Sequence, residues 1–302
     1  MNAVMIRALG VTELLFFVGL VFIVFIGIRK KLSIEQKKAL WGKFGTYLLI
    51  VNVYLMLLMT NEYLYCSLVL ILSICAVREL AGIAALKQID VNRAFLFCIS
   101  TGLFAVAVFN GISKYYTFTF LALIFALAIP VLKRDPINVF EKQSATILVL
   151  LYGSVVPTYL VFVYESENGM RLAAYLFLMI TMNDGFSELF GRSLGKRSIW
   201  PTISPNKTWM GSIGGLLSTV VGSIMFKFLI PDISIAQAIA IAILIGVSGQ
   251  LGDLIASAFK RDVKIKDFGN LIPYHGGVLD RFDSLFFAAP VFYYASKLIL
   301  TH

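Results

Sequence analysis

The sequence predicts an all-α, polytopic integral membrane protein of about ten transmembrane helices, nine at the lower count, with a polar active site at their cytoplasmic ends. Three observations carry this. Of 302 residues, 59% are hydrophobic and only 14% charged, which excludes an ordinary water-soluble domain. Apolar runs of roughly 20 residues, the length that crosses a bilayer, recur along the whole chain. The basic residues gather in the stretches between those runs.

The first run, 11–28, follows Arg7 and ends at Arg29-Lys30-Lys31 without a small-residue cleavage site, so it reads as a retained signal anchor. The stretch 32–43 has helical character and lysines beside Trp41. It reads either as a helix on anionic headgroups or as a solvated connector. Runs 44–60 and 63–86 follow, the second carrying the charged pair Arg78-Glu79, whose opposite charges lower each other's burial cost in a structural or pathway-lining role. Runs 94–111, 116–132, 144–164 and 171–190 come next, then 209–230, 235–259 and 284–300. The ninth run is open to a break near Gly246 to Gly252, where freed backbone groups would have to face protein or water. Cys66, Cys75 and Cys98 lie in apolar runs without metal-ligand spacing and read as small buried hydrophobes. One continuous membrane domain is expected, with N-terminal helices over 1–170 and a catalytic region over 171–302.

The net charge of +9 does not point to nucleic acid, because the cations sit in short loops between apolar runs. Twenty of the 26 basic residues fall in the alternate stretches 29–43, 87–93, 133–142, 192–207 and 260–281. The positive-inside rule therefore puts these five loops in the cytoplasm and both termini outside.

Two of the loops are chemically dense. Ser257 to Asp283 crowds acids, bases, glycines and a histidine into one stretch, just after Asp253 in an apolar run. Asp253, Asp280 and Asp283 are hard oxygen ligands of the kind magnesium accepts, while Lys260, Arg261, Lys264, Lys266 and Arg281 suit phosphates. Gly276-Gly277 lets backbone approach a ligand closely or turn sharply, and His275 is a donor to a phosphate oxygen. In the other loop, Asp184 and Glu188 share a helical face, either to bind a cation or substrate or to pair with Arg192. Ser204-Pro205-Asn206-Lys207-Thr208-Trp209 is a turn at a helix start, suited to phosphate through amides and Lys207, or else an interfacial anchor.

Ser257-x-Phe259-Lys260-Arg261, Lys266-Asp267-x-Gly269 and Ile272-Pro273-x-His275-Gly276-Gly277-Val278-x-Asp280-Arg281-Phe282-Asp283 resemble the signature of the phosphatidate cytidylyltransferases, or CDP-diacylglycerol synthases. Gly191-Arg192 and Ser204-Pro205-x-Lys207-Thr208-Trp209-x-Gly211 resemble a second stretch of that family. Met210 and Ser187-Glu188 depart from its usual residues. The resemblance covers about 180–284 and implies transfer of CMP from CTP to phosphatidate or a related lipid phosphate, with magnesium required and a second cation open. It implies catalytic roles for Asp253, Lys260, Asp280 and Asp283, with Asp253 and Asp280 on the metal. Substrate contacts are implied for Asp184, Ser204, Lys207, Thr208, Ser257, Arg261, Lys266, Asp267, His275, Gly276, Gly277 and Arg281. Membrane lipids are the expected surroundings, and a homodimer stays open. The alternatives are a paralogue using another lipid phosphate and, from a different class, a cation-coupled transporter with Glu79, Asp184 and Asp253 along its path.

Overall fold

A computed structural model describes residues 3–29, 34–132, 134, 137–274 and 276–300. Ten α-helices account for nearly all of it: α1 Ala3–Arg29, α2 Ile34–Thr60, α3 Glu62–Leu86, α4 Arg93–Leu132, α5 Val139–Leu150, α6 Val156–Tyr164, α7 Gly169–Leu194, α8 Trp209–Met225, α9 Ile235–Asp262 and α10 Leu279–Leu300. Among the described residues the only strands are β1 Ser198–Trp200 and β2 Ser204–Thr208, an antiparallel hairpin between α7 and α8.

Polar side chains start several helices. Asn61 caps α3 by accepting the Leu64 amide at 2.8 Å, Ser234 and Gln237 form a reciprocal capping box on α9, and Thr208 accepts the Gly211 amide at the head of α8. Runs 94–111 and 116–132 are two helical halves of α4 that meet at a kink, where Gly111 takes the non-helical φ 73° and ψ 177°. Between α5 and α6 the chain widens into a π turn, Leu151–Val155. Pro157 explains it, since proline has no amide to give to Gly153 four residues back and its ring crowds that carbonyl. Ser73 of α3 donates to the freed Gly153 oxygen at 2.8 Å.

α7 is the central helix. Leu172 through Ile180 are buried without interruption, as expected of a helix that is apolar all round. α8 faces it with Gly211, Gly214, Gly215, Ser218, Thr219 and Gly222, small residues that bring two backbones close without water to drive them together. Outward-facing Phe109, Phe120, Leu217, Val221, Leu244 and Leu298 present an apolar surface. Among the described residues five helical segments are long and apolar enough to cross a bilayer: 40–60, 62–86, 93–132, 139–164 and 235–262. The chain is thus an all-α integral membrane protein.

Two expectations change. α9 is continuous through Gly246–Gly252. The glycines there make room for neighbours instead of breaking the helix: a Cβ would stand 2.8 Å from Leu216 at Gly246, 2.6 Å from Ile180 at Gly249 and 2.7 Å from the Asp283 carbonyl at Gly252. α9 therefore lies pressed between α8, α7 and α10. The stretch from residue 34 to 43 is neither a separate surface helix nor a connector, being the first three turns of α2.

Candidate active site

The last turns of α9 project Asp253, Ser257 and Lys260 from one face, at spacings of four and three residues. Ser257, itself buried, donates to Asp253 Oδ1 at 3.4 Å. Lys260 Nζ crosses to the first turn of α10 and pairs with Asp280 Oδ1 at 2.6 Å, with side-chain exposures of only 12% and 5%. The other Asp280 oxygen accepts the amides of Phe268 at 2.7 Å and Gly277 at 2.8 Å, so the loop between α9 and α10 is wrapped around this carboxylate.

The β1–β2 hairpin closes the other flank. Pairing Ser198 with Thr208 and Trp200 with Ser204 directs the end of β2 into α8, and Lys207 Nζ reaches Asp253 Oδ2 at 2.6 Å. Arg261 ties the end of α9 to the hairpin by donating to the Ile203 carbonyl at 3.2 Å. From α7, Asp184 accepts the Ser284 hydroxyl at 3.3 Å, while Asn183 one residue back donates to Gly246 O and accepts from Gln250. Asp283 is 4% exposed and its Oδ1 accepts the Ser284 amide. Its carboxylate faces the negative charges of Asp253 and Asp184, offset by Lys260 and Lys207. The Arg281 guanidinium lies 4.0 Å over the Tyr47 ring and also acts on Asp184. Four acids and three cations, from α7, β2, α9 and α10, thus share one site. Among the described residues no three acids already close around a single ion.

Of the residues expected from the sequence, Asp184, Lys207, Asp253, Ser257, Lys260, Asp280, Arg281 and Asp283 come together. Arg261, Lys266 and Asp267 are exposed, as is Lys264, which has φ 59°. Ser204 lies within the hairpin and Thr208 acts as a helix cap. His275 lies outside the described residues. Glu188 turns away to pair with Arg192, so of the Asp184–Glu188 face only Asp184 reaches the cluster. Asp280, expected on the metal with Asp253, has both oxygens engaged by Lys260 and loop amides, whereas Asp283 stands among the acids. Gly276 and Gly277 lie against carboxylates of this chain: a Cβ would come within 2.8 Å of Asp280 Oδ2 at the first and 2.6 Å of Glu79 Oε1 at the second. Glu79 accepts the amides of Val278 and Leu279, and the charge of exposed Arg78 also acts on it.

Tyr152 was not anticipated. It sits in the π turn, donates to Gly252 O at 3.0 Å and lies beside Asp253 and Asp283. The available signal was Pro157 within an apolar run, since π turns collect at functional sites.

The model of a family described as the cytidylyltransferase family matches residues 42–299. A phosphatidate cytidylyltransferase of Staphylococcus haemolyticus is 32% identical over 224 residues, covering 73% of this chain and 85% of that protein. One from Staphylococcus aureus strain COL is 37% identical over 155 residues, or 51% of this chain and 60% of that protein. Escherichia coli YnbB is 42% identical over 128 residues, covering 42% of this chain and 43% of that protein.

Proposed function

The chain belongs to the cytidylyltransferase family, and on that premise we propose that it transfers CMP from CTP to phosphatidate, giving CDP-diacylglycerol and pyrophosphate. The observation that carries this reading is the convergence of Asp184, Asp253 and Asp283 with Lys207, Lys260 and Arg281.

A lipid phosphate oxygen attacks the α-phosphorus of CTP, forming the new P–O bond as the bond to the bridging β-phosphate oxygen breaks, and pyrophosphate leaves. Phosphatidate brings its own nucleophile, so no serine or cysteine is required. The obstacle is repulsion between two anions, which Lys207, Lys260 and Arg281 offset. The Lys207–Asp253 contact is poised to exchange, because an arriving triphosphate offers the lysine a stronger anion.

Hard carboxylate oxygens at Asp253 and Asp283 suit magnesium, which takes one or two protein carboxylates and completes its shell with phosphates and water. We assign the metal to that pair, with Asp184 beside it. When bound, magnesium would neutralise charge on the triphosphate as it builds up. Asp280 then serves to hold Lys260 and the loop in place.

The site faces the cytoplasm in this reading. Supporting it, the five basic loops adjoin one another: Lys87 pairs with Asp262, Arg261 bonds Ile203, Gly42 packs against Tyr274, and Asp90, Asn92 and Lys142 line one cavity. The transporter alternative loses its row of acids, since Glu79 is capped by amides and Asp184 and Asp253 sit in one cluster.

The test is purified protein with CTP, magnesium and phosphatidate, scored for pyrophosphate and for the mass of the lipid product. A product of CDP-diacylglycerol mass, absent with Asp253→Asn, supports the reading. No pyrophosphate with any lipid phosphate overturns it.

A further inference from the structure

We propose that Glu79 of α3 is a positioning residue for this reaction, a carboxylate clamp that sets the first turn of α10 and with it Arg281 and Asp283. The inference rests on the cytidylyltransferase reading and adds a residue from the N-terminal helices to its machinery.

Three consecutive amides enter α10, and each ends on a carboxylate. Gly277 donates to Asp280 Oδ2, Val278 to Glu79 Oε1 and Leu279 to Glu79 Oε2, all at 2.8 Å. These are the amides a helix start leaves without partners, and the partial positive charge there favours an anion. Most helices recruit a side chain next to the start. Here the acceptor lies 199 and 200 residues away in sequence, on a different helix. An ionisable group within an apolar helix is costly to retain, and α3 places this one at the active-site loop.

The glycines corroborate the clamp. At Gly277 a Cβ would lie 2.6 Å from Glu79 Oε1 and 2.8 Å from both Cδ and Oε2, and at Gly269 it would lie 3.4 Å from the same Oε1. The Glu79 carboxylate therefore fills the space that a side chain at Gly277 would need and lies in van der Waals contact with the Gly269 position. Pinning the amides of 278 and 279 fixes where α10 begins, hence where Arg281, two residues on, and Asp283, one turn on, point. Small displacements of such groups cost rate more than affinity for the parts of a substrate held elsewhere.

Glu79→Gln is nearly isosteric but turns an amide NH2 toward one of the two N–H donors. It should lower kcat by about 10- to 100-fold while KM for CTP stays within about twofold. Hydrogen exchange of the peptide spanning 277–280 should accelerate, with a melting temperature close to that of the parent. Gly277→Ala should lower kcat similarly in the parent yet add little in Glu79→Ala, because the obstructing carboxylate is gone; a purely global destabilisation would make the two effects additive. Parental kcat in Glu79→Gln, unchanged exchange at 277–280, or additivity with Gly277→Ala each overturns the clamp. If the parent makes no nucleotide-linked lipid from any lipid phosphate, the functional reading fails and takes this inference with it. A parent that turns over beside a Glu79→Gln protein equal to it sinks the clamp alone.

Discussion

At the end of the bundle where the basic loops meet, Lys207 holds Asp253, Lys260 holds Asp280 and backbone amides hold Glu79. At the opposite end hydroxyl groups answer one another, and the one cation described beside them, Lys297, lies 4.7 Å over the Tyr293 ring. Tyr294 shares hydrogen bonds with Tyr116 and with Tyr159, the latter at 3.2 Å, and Glu165 stands near Glu62, a like charge. The difference teaches that polar groups in the apolar scaffold have two uses. One end is built from opposite charges that a polyanionic substrate can rearrange, and the other from neutral contacts that tie α4, α6 and α10 together. Substitutions at the first should register in turnover and at the second in stability.

The largest effect expected is at Asp253. Asp253→Asn keeps the shape but removes the charge that pairs with Lys207 and that the proposed magnesium would use, and pyrophosphate release should fall on the order of 10³-fold with an unchanged melting temperature. Asp280→Asn should separate itself from that pattern. Its partner Lys260 is almost fully enclosed, and removing one member of a buried pair costs about 3 kcal/mol. Thermal melting in detergent should therefore detect Asp280→Asn, along with a loss of activity, and leave Asp253→Asn untouched. If both variants melt alike, the assignment of Asp253 to chemistry and Asp280 to positioning fails.

Much of the charged end was legible in the sequence, because acids and bases inside an apolar chain are conspicuous. Asp184, Lys207, Asp253, Ser257 and Lys260 were identifiable as residue types in the right stretches. How Asp280 and Asp283 divide their partners was not. Asp280 and Asp283 lie three residues apart on one side of α10, and only the path of the preceding loop decides that the first turns to its amides and the second to Asp253. Glu79 was visible as an anomaly, but its partners are about 200 residues distant and no local pattern names them. Gly246, Gly249 and Gly252 read as helix breakers, since sequence cannot say whether a missing Cβ frees the backbone or admits a neighbour.

A smaller effect is expected in the tyrosine cluster. Tyr294→Phe removes the hydroxyl shared by Tyr116 and Tyr159. Stability should drop by about 1 kcal/mol, and turnover with CTP should match the parent. A large loss of turnover without a change in melting would show that this end takes part in the reaction.

The smallest effect concerns pH. Burial first, and then the charge of Glu62, push the Glu165 carboxyl from its ordinary 4.5 up to about 7. A carboxyl raised on folding binds its proton more tightly in the folded state. Ionisation above the unfolded value therefore favours unfolding, and the penalty accumulates as pH rises from about 4.5 to about 7 before levelling off. Exposure of Glu165 to solvent screens this contribution, so the slope should be shallow. Glu165→Gln should melt like the parent near pH 4 and above it at pH 8, with a flatter profile between. The opposite slope, with the parent gaining stability as pH rises through that window relative to Glu165→Gln, would mean that Glu165 has found a cation. The two ends of the bundle would then treat their carboxylates alike.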